Sequence, residues 1–289
     1  MYQRDATTDV PDAGGYVLYH YDPTMAGGVI FTLLFIGTTL LHVWQLYRGR
    51  SWFTIPMAVG GLFELIGYAA RCQSSHETPN WTLGPYIIQS IFLLVAPALF
   101  AATIYMELGR IVAMIDGEGR VMISKKWMTK TFVTGDVLSF FLQGGGGGYQ
   151  ASGTLDALKA GSNIIIGGLF VQLIFFGVFI IIAIAFHRAI RQNPTARSNS
   201  GLPWEKHMIV LYIGSLLIMV RSIFRAVEYL QGFDGSLLHH EAYLYIFDAT
   251  LMFLVMVLFN WFHPSEITTI LTERETGKGY SMGPFTECA

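Results

Sequence analysis

The chain has few charged residues and only two cysteines. Of its 289 residues, 13% are Asp, Glu, Lys or Arg, whereas 53% are hydrophobic, and the mean hydropathy is +0.47. So few charged side chains cannot cover the surface of a soluble domain of this length, which excludes an ordinary soluble globular protein. The composition instead indicates a polytopic integral membrane protein.

Sequence features of two enzyme classes are also missing. The chain has no G-x-x-x-x-G-K loop, so active export would need an energy source outside the chain or a gradient. Its eight histidines do not converge on a metal: Asp248 and His263 are 15 residues apart, which is about 22 Å along a helix. His42 and His263, near the inner membrane face, can approach each other. We expect no enzyme activity, no cofactor and no bound metal.

Seven apolar stretches are each long enough to cross a hydrocarbon core. About 20 helical residues suffice for this, and a helix satisfies its own backbone hydrogen bonds in lipid. The stretches cover residues 25–46, 53–71, 84–107, 130–149, 162–186, 207–229 and 242–262. The predicted fold is all-α, a seven-transmembrane helix bundle that forms one domain over 25–262, with tails at 1–24 and 263–289.

Basic residues divide unequally between the two ends of these stretches. Thirteen of the 18 Lys and Arg residues fall on one predicted side, namely Arg48, Arg50, Arg110, Arg120, Lys125, Lys126, Lys130, Arg188, Arg191, Arg197, Lys206, Arg274 and Lys278. Three fall on the other side: Arg4, Arg71 and Lys159. Because cytoplasmic loops are enriched in Lys and Arg, the tail 1–24 is predicted to be extracytoplasmic and the tail 263–289 cytosolic. Cys72 and Cys288 then lie on opposite sides and cannot form an intrachain disulfide.

Local signals add detail to this topology. Asn80-Trp81-Thr82 is an acceptor sequence for N-glycosylation on the predicted outer side. Pro97 in the third stretch predicts a kink. The five glycines at 144–148 predict either a close approach of two helices or an unwound helix end. The segment 187–205 is predicted to be a cytosolic loop.

Charged residues inside the apolar stretches are the strongest functional signal. Arg221, Arg225 and Glu228 lie in the sixth stretch with the i, i+4, i+7 spacing of one helical face. A charge in the hydrocarbon costs at least about 2.5–3.5 kcal/mol by insertion scales, so this face must turn toward other helices or water. Seven charged residues lie from the middle of the bilayer outward and are called the outer cluster: Glu64, Arg71, Arg221, Arg225, Glu228, Glu241 and Asp248.

The outer cluster predicts a charged, partly hydrated cavity that opens outward. Its three arginines oppose four carboxylates, and further polar groups are added by Gln89, Gln143 and Tyr245. Such a cavity can hold a zwitterionic or amphiphilic headgroup while the lipid tail stays in the bilayer. We therefore predict all ten residues to bind substrate. The alternative is that these charges are structural ion pairs between helices, with no ligand.

Asp136 stands apart from the outer cluster. Its stretch enters the membrane from the predicted cytosolic side, which puts Asp136 in the inner half of the bilayer. We expect it either to pair with a polar group near Tyr105 or to be a protonatable site. Its predicted role is therefore protonation or structure rather than substrate binding.

Short sequence blocks occur in order along nearly all seven stretches. The blocks are Gly67-Tyr68 with Arg71, Gln89-Ser90, Leu93-Leu94, Ala96-Pro97, Ala101-Ala102, Ile104-Tyr105, Leu108-Gly109-Arg110, Asp136 with Ser139, Gln143 and the glycines, Arg221-Ser222, Phe224-Arg225, Glu228-Tyr229, His240-Glu241, Tyr245, Phe247-Asp248 and His263-Pro264. Together they resemble the fungal RTA-like family of lipid-translocating exporters. Several blocks in register are far more specific than any single motif.

The resemblance implies a seven-helix protein of a fungal plasma membrane. It implies a link to sphingoid long-chain base release, phospholipid asymmetry and resistance to toxic amphiphiles. The implied partners are membrane lipids, sphingoid bases or other amphiphiles, with no nucleic acid and with protein partners unassigned. Movement of lipids by the protein itself is the first function that this implies.

A seven-transmembrane lipid-sensing receptor, or a regulator of lipid asymmetry without transport, is the alternative function. Glu107 with Arg110 at the cytosolic end of the third stretch is similar to a receptor ionic motif. However, Cys72 has no extracellular partner cysteine, and residues 260–264 do not form the usual receptor motif of a seventh helix. Both functions stay open on the sequence.

The predicted orientation can be tested with terminal tags. In intact cells, a tag at the amino terminus is expected to react with an impermeant reagent, whereas a tag at the carboxyl terminus reacts only after permeabilisation. The physical reason is the unequal division of basic residues. A carboxyl-terminal tag that is accessible from outside would invert the predicted depth of every residue in the outer cluster.

Overall fold

The computed structural model describes residues 21–78, 80–121, 125–150, 154–231 and 240–276, and these residues form helices and connecting turns without a β-strand. The predicted all-α class is therefore confirmed for the part of the chain that is described. The helices are α1 (Met25–Gly49), α2 (Ile55–His76), α3 (Leu83–Met114), α4 (Lys125–Gln150), α5 (Leu155–Gln192), α6 (Trp204–Gln231), α7 (residues 241–261) and α8 (Ser265–Glu275).

Six helical segments in the described ranges are long and apolar enough to cross a membrane. They are Met25–Gly49, Trp52–His76, Leu83–Met114, Asp156–Gln192, Trp204–Gln231 and Glu241–Arg274. Helix α4 is less apolar than these, because it begins with three lysines and carries Asp136 and five glycines. The helices are those of an integral membrane protein, while a seventh span at α4 stays a prediction.

Large apolar side chains cover the outside of the bundle. Leu33 on α1 and Ile174 on α5 are each 62% exposed, and Phe141 on α4 is 67% exposed. A water-soluble monomer rarely exposes so much contiguous apolar surface. These side chains fit a lipid environment, and α4 shares the pattern with its neighbours.

Helix α3 lies at the centre of the bundle and packs against α2, α4 and α6. Phe100, Ile104 and Leu108 on α3 are fully buried. In lipid, the hydrophobic effect does not drive helices together, so close packing and interhelical hydrogen bonds must hold this core. Pro97 lies inside α3, and the helix continues past it.

The predicted loop between α5 and α6 needs correction. The predicted loop 187–205 is wrong in its first part, because α5 continues to Gln192. Arg188, Ala189 and Arg191 are good helix formers, and the helix stops only at Asn193, which precedes a proline and so disfavours the α conformation. Beyond Pro264, Ser265–Glu275 forms α8, whereas the tail residues 1–20 and 277–289, including Cys288, lie outside the described residues.

The glycines of α4 bring this helix close to α5. The helix runs through all five of them to Gln150, so the predicted unwound end is wrong. A Cβ on Gly146 would lie 2.7 Å from the carbonyl oxygen of Gly161, and a Cβ on Gly161 would lie 2.6 Å from that of Gly146. The predicted close helix approach is therefore confirmed, and it involves backbone atoms of both helices.

Substitution of Gly146 by alanine is expected to destabilise the α4–α5 contact. The new methyl group would meet a carbonyl oxygen that cannot move without the helix, and overpacking of this kind costs about 1–3 kcal/mol. Gly147→Ala is the matched control, since its Cβ would meet nothing within 4 Å. Thermal unfolding of the purified protein in detergent should show a lower midpoint for Gly146→Ala alone. Equal midpoints for both variants would contradict the close contact.

Candidate functional site

The outer cluster is assembled from three helices, and each of its arginines has a carboxylate partner. Glu64 and Arg71 lie on α2, Arg221, Arg225 and Glu228 lie on α6, and Glu241 and Asp248 lie on α7. The ion pairs are Arg71–Glu241 at 2.7 Å, Arg221–Asp248 at 2.6 Å and Arg225–Glu228 at 2.5 Å. The structure thus brings the predicted charges together as three pairs, with Glu64 left over.

Arg221 joins three helices through one guanidinium group. Its Nε donates to Asp248 on α7, and its Nη2 donates to the carbonyl oxygen of Leu93 on α3 at 2.9 Å. That carbonyl belongs to the residue four positions before Pro97, whose ring nitrogen has no hydrogen to donate to it. Arg221 therefore supplies the hydrogen bond that the proline removes from α3.

Arg71 joins α2 and α7 to the segment that precedes α1. Its Nη2 donates to Glu241 and to the hydroxyl of Tyr21 at 2.8 Å, and its Nε donates to the hydroxyl of Tyr245 at 3.0 Å. The backbone N–H of Thr24 donates to both carboxylate oxygens of Glu241, at 2.9 and 3.1 Å. Residues 21–24, called the N-terminal strap, therefore cover Arg71, whose side chain is fully buried.

Tyr21 takes part in this contact as a neutral hydroxyl. Burial raises the pKa of the phenol above its ordinary value, and this outweighs the opposing effect of the Arg71 charge and hydrogen bond. The guanidinium carbon of Arg71 lies 5.4 Å from the centre of the Tyr21 ring and 5.3 Å from that of Tyr245. Cation–π attraction at such distances adds to the hydrogen bonds of the strap.

Helix α7 changes its geometry where it meets the arginines. Glu241–Leu244 is α-helical, Tyr245–Ala249 forms a π-helical turn, and Thr250–Trp261 is α-helical again. The Tyr245 carbonyl accepts the backbone N–H of Thr250 and also its hydroxyl, the latter at 2.8 Å. Turns of this kind are frequent at functional sites, and this one carries both Tyr245 and Asp248.

Arg225 differs from the other two arginines of the outer cluster. Its carboxylate partner, Glu228, lies three residues further along the same helix, so this pair does not link α6 to another helix. The Arg225 side chain is 19% exposed, whereas those of Arg71 and Arg221 are at most 1% exposed. Its guanidinium carbon lies 5.4 Å from the centre of the Tyr229 ring. Arg225 is therefore the arginine most accessible to a ligand.

Glu64 is the carboxylate without an arginine. It is 1% exposed, and neither carboxyl oxygen has a hydrogen-bond partner among the described residues. Arg221 and Asp248 both act on it electrostatically. Glu64 thus lies beside an ion pair in which it does not take part.

Two of the remaining predicted residues, Gln143 and Asp136, have their hydrogen bonds outside the outer cluster. Gln89 is buried on α3. Gln143 donates to Ser139 at 2.6 Å and to Gln172 at 3.3 Å, so its hydrogen bonds join α4 to α5 instead of reaching an arginine. Asp136 accepts a hydrogen bond from Tyr105 at 3.0 Å, whereas the sequence analysis expected a polar group near Tyr105 or a protonatable site.

A buried histidine near the predicted cytosolic end was missed by the sequence analysis. His207 on α6 lies 3.4 Å from Glu107 on α3 and 3.1 Å from Glu266 on α8, and it attaches α8 to the bundle. The three residues are too far apart in sequence to form a local pattern. Arg110, which the sequence groups with Glu107, instead lies 4.1 Å from the centre of the Phe53 ring.

Histidines and acids of the described residues form no group of three or more that could hold a metal ion. His42 and His263 do approach each other, with ring centres 6.1 Å apart. One ring nitrogen of His42 bonds to the Met256 carbonyl at 3.1 Å, and Nδ1 of His263 accepts from the Ser265 N–H at 3.2 Å. This pair connects α1 to the end of α7.

Loss of Arg221 is expected to destabilise the bundle strongly. In Arg221→Ala, Asp248 and the Leu93 carbonyl lose their partner, and breaking such a buried pair costs about 3–5 kcal/mol. Because the residues interact, the double variant with Asp248→Asn should be less destabilised than the sum of the single variants, by about 0.5–3 kcal/mol. Thermal unfolding in detergent measures all three.

The control for this experiment is the exposed pair Arg191–Glu205, whose side chains are 64% and 52% exposed. Arg191→Ala should change stability by less than about 1 kcal/mol. Strictly additive losses for Arg221→Ala and Asp248→Asn would show that the two side chains do not stabilise each other.

Sequence comparison places these features in a family. Residues 57–270 match the family described as RTA1 like protein. This range contains every residue of the outer cluster and ends inside α8. The sequence blocks described above lie within this range, which covers about three quarters of the chain.

Individual relatives agree with this match, while no solved structure matches the chain. Protoporphyrin uptake protein 1 of Saccharomyces cerevisiae is 38% identical over 88% of this chain and 93% of its own length. The probable lipid transporter atnI of Emericella nidulans is 28% identical over 89% of this chain and 70% of its own length. The sphingoid long-chain base transporter RSB1 of S. cerevisiae is 24% identical over 78% and 67%. The chain belongs to the RTA1-like family.

Proposed function

We propose that this protein moves amphiphilic lipids, such as sphingoid long-chain bases and phospholipids, across the plasma membrane of a fungus. The seven helices α1–α7 span the membrane in this proposal, and the outer cluster binds the headgroup in a cavity that opens outward. Resistance to toxic amphiphiles follows from their removal. The observation that carries the proposal is the Arg225–Glu228 pair, which lies within one helix and whose arginine side chain is 19% exposed.

The geometry of this pair suits an amphiphilic headgroup. Arg225 and Glu228 lie one turn apart on α6, with opposite charges 2.5 Å apart and the Arg225 side chain partly exposed. An ammonium group can replace Arg225 at Glu228, and a phosphate or carboxylate can replace Glu228 at Arg225. A zwitterionic headgroup that makes both exchanges leaves no buried charge unpaired, which keeps the cost of binding low.

Binding also requires the outer cluster to open. Arg71 is buried beneath the N-terminal strap through Tyr21 and Thr24. These bonds lie at the predicted outer end of α1, α2 and α7, and their release would admit water and a headgroup. In the proposal, Arg71 and Tyr245 therefore belong to the gate, whereas Arg225 and Glu228 contact the cargo.

The names of the relatives support a broad cargo class. One relative is named as a probable lipid transporter and another as a sphingoid long-chain base transporter. Protoporphyrin, the compound in the name of the relative with 38% identity, is a flat apolar ring with two carboxylates. An anionic amphiphile of this type is a second candidate cargo, and Arg225 is the group that would bind its carboxylate.

A lipid-sensing receptor or a regulator of lipid asymmetry is the alternative to transport. Liposomes that contain only the purified protein distinguish them. Leaflet-resolved assays with a sphingoid base, a phospholipid and protoporphyrin present the site with a cation, a zwitterion and an anion. Saturable movement of any of them supports a carrier, whereas ligand binding without movement supports a receptor or regulator.

Arg225→Ala is expected to reduce transport, or resistance in cells, by about ten- to a hundredfold. This corresponds to the loss of one charge-assisted hydrogen bond of about 1.5–3 kcal/mol. Lys159→Ala is the control, because Lys159 is an exposed residue near the start of α5. Surface abundance and thermal stability are measured beside activity. A well-expressed, fully active Arg225→Ala protein would exclude the outer cluster as the working site, and an absent one would indicate a structural role.

A further inference from the structure

Three buried polar groups meet near the middle of the bundle without hydrogen-bond partners among the described residues. They are both carboxyl oxygens of Glu64, the hydroxyl of Tyr68 and Nη1 of Arg221. Glu64 and Tyr68 lie one turn apart on the same face of α2, and all three side chains are at most 1% exposed. Because buried polar groups are rarely unpaired, this group marks a place where a ligand binds or where partners exchange.

The charged groups around Glu64 are few. Arg221 from α6 and Asp248 from α7 act on Glu64 electrostatically. The hydroxyl of Tyr68 is acted on by Glu64 and Asp248, and also by Arg71 and Tyr245. Four titratable side chains of the neighbouring helices α1 and α3 have contacts elsewhere. His42 bonds to the Met256 carbonyl and Tyr105 to Asp136, while Glu107 lies beside His207 and Arg110 beside the Phe53 ring. Glu64 therefore interacts chiefly with one ion pair.

The state of Glu64 decides what Arg221 can bind. Two of the three nitrogens of Arg221 are engaged, Nε with Asp248 and Nη2 with the Leu93 carbonyl, while Nη1 is not. An ionised carboxylate without a partner in a buried site is very costly, so it either takes a proton or finds a cation. The cation that acts on Glu64 is Arg221, whose Nε already donates to Asp248.

We propose that Glu64 is a proton-binding site that controls the partner of Arg221. A carboxylate oxygen of Glu64 takes a proton from a hydronium ion of the aqueous phase, which leaves water and a neutral acid, and Arg221 then stays with Asp248. When the proton leaves, the Glu64 carboxylate accepts a hydrogen bond from Nη1 of Arg221, and the hold on Asp248 weakens.

This inference deepens the proposed function, since it names the ion that drives or regulates it. The Arg221–Asp248 pair joins α6 to the π-helical turn of α7. A competing bond to Glu64 draws α6 toward α2 instead, so protonation shifts the bundle between two arrangements. The ratio of protonated to ionised Glu64 changes about tenfold per pH unit.

The first test does not depend on transport. Infrared difference spectra of the purified protein between two pH values should contain a carboxylic-acid C=O band that disappears in Glu64→Gln. The band should persist in Glu205→Gln, which removes an exposed carboxylate, and in Asp136→Asn, which removes another buried one. A band unchanged in Glu64→Gln at every pH would overturn the proposal, whether or not the protein transports lipid.

The second test uses the liposomes that contain only this protein. Transport by the wild type should change with pH by up to about tenfold per unit, whereas Glu64→Gln, which mimics the protonated acid, should lose this dependence. Glu64→Asp should restore the dependence, and its recovery excludes misfolding as the cause. A Glu64→Gln protein with the pH dependence of the wild type would overturn the coupling.

Discussion

The hydrogen bond from Arg221 to the Leu93 carbonyl is the contact on which the rest of the bundle depends. Pro97 leaves that carbonyl without its helical donor at the centre of α3, and in lipid no water is available to replace it. The guanidinium group of Arg221 donates to this carbonyl at 2.9 Å and also donates to the carboxylate of Asp248 at 2.6 Å. One arginine thereby makes a proline acceptable in the central helix and fixes α6 and α7 against it.

In the proposed function, the three arginines of the outer cluster divide structural and ligand-binding tasks. Arg71 and Arg221 are buried and hold separate helices together, so for them the interpretation as structural ion pairs is well supported. Arg225 is partly exposed and has its partner on its own helix. The proposal therefore assigns the two interpretations of the sequence to different residues, assembly to Arg71 and Arg221 and binding to Arg225.

The sequence predicted those features that depend on the length of apolar stretches, on helical periodicity and on the positions of charged residues. The helices, the grouping of the outer cluster and the position of Asp136 near Tyr105 follow from apolar runs and from depth in the membrane. Side-chain partners did not follow, because Arg221 can reach Asp248 and Leu93 only after three helices are packed. The π-helical turn of α7 contains no proline or glycine from which it could be predicted. His207 lies 59 residues from Glu266, so no local sequence pattern indicates their contact.

The π-helical turn gives α7 a spare residue, and this has a mechanical consequence. If Tyr245–Ala249 relaxed to an ordinary α-helix, the part of α7 before it would rotate by about 100° relative to the part after it, which is one residue at 3.6 residues per turn. Glu241 would then swing away from Arg71 and release Thr24, while Thr250–Trp261 stayed packed. A change from π-helix to α-helix within a single turn would thus break the contacts of Glu241 at one end of α7 and keep the packing of Thr250–Trp261 at the other.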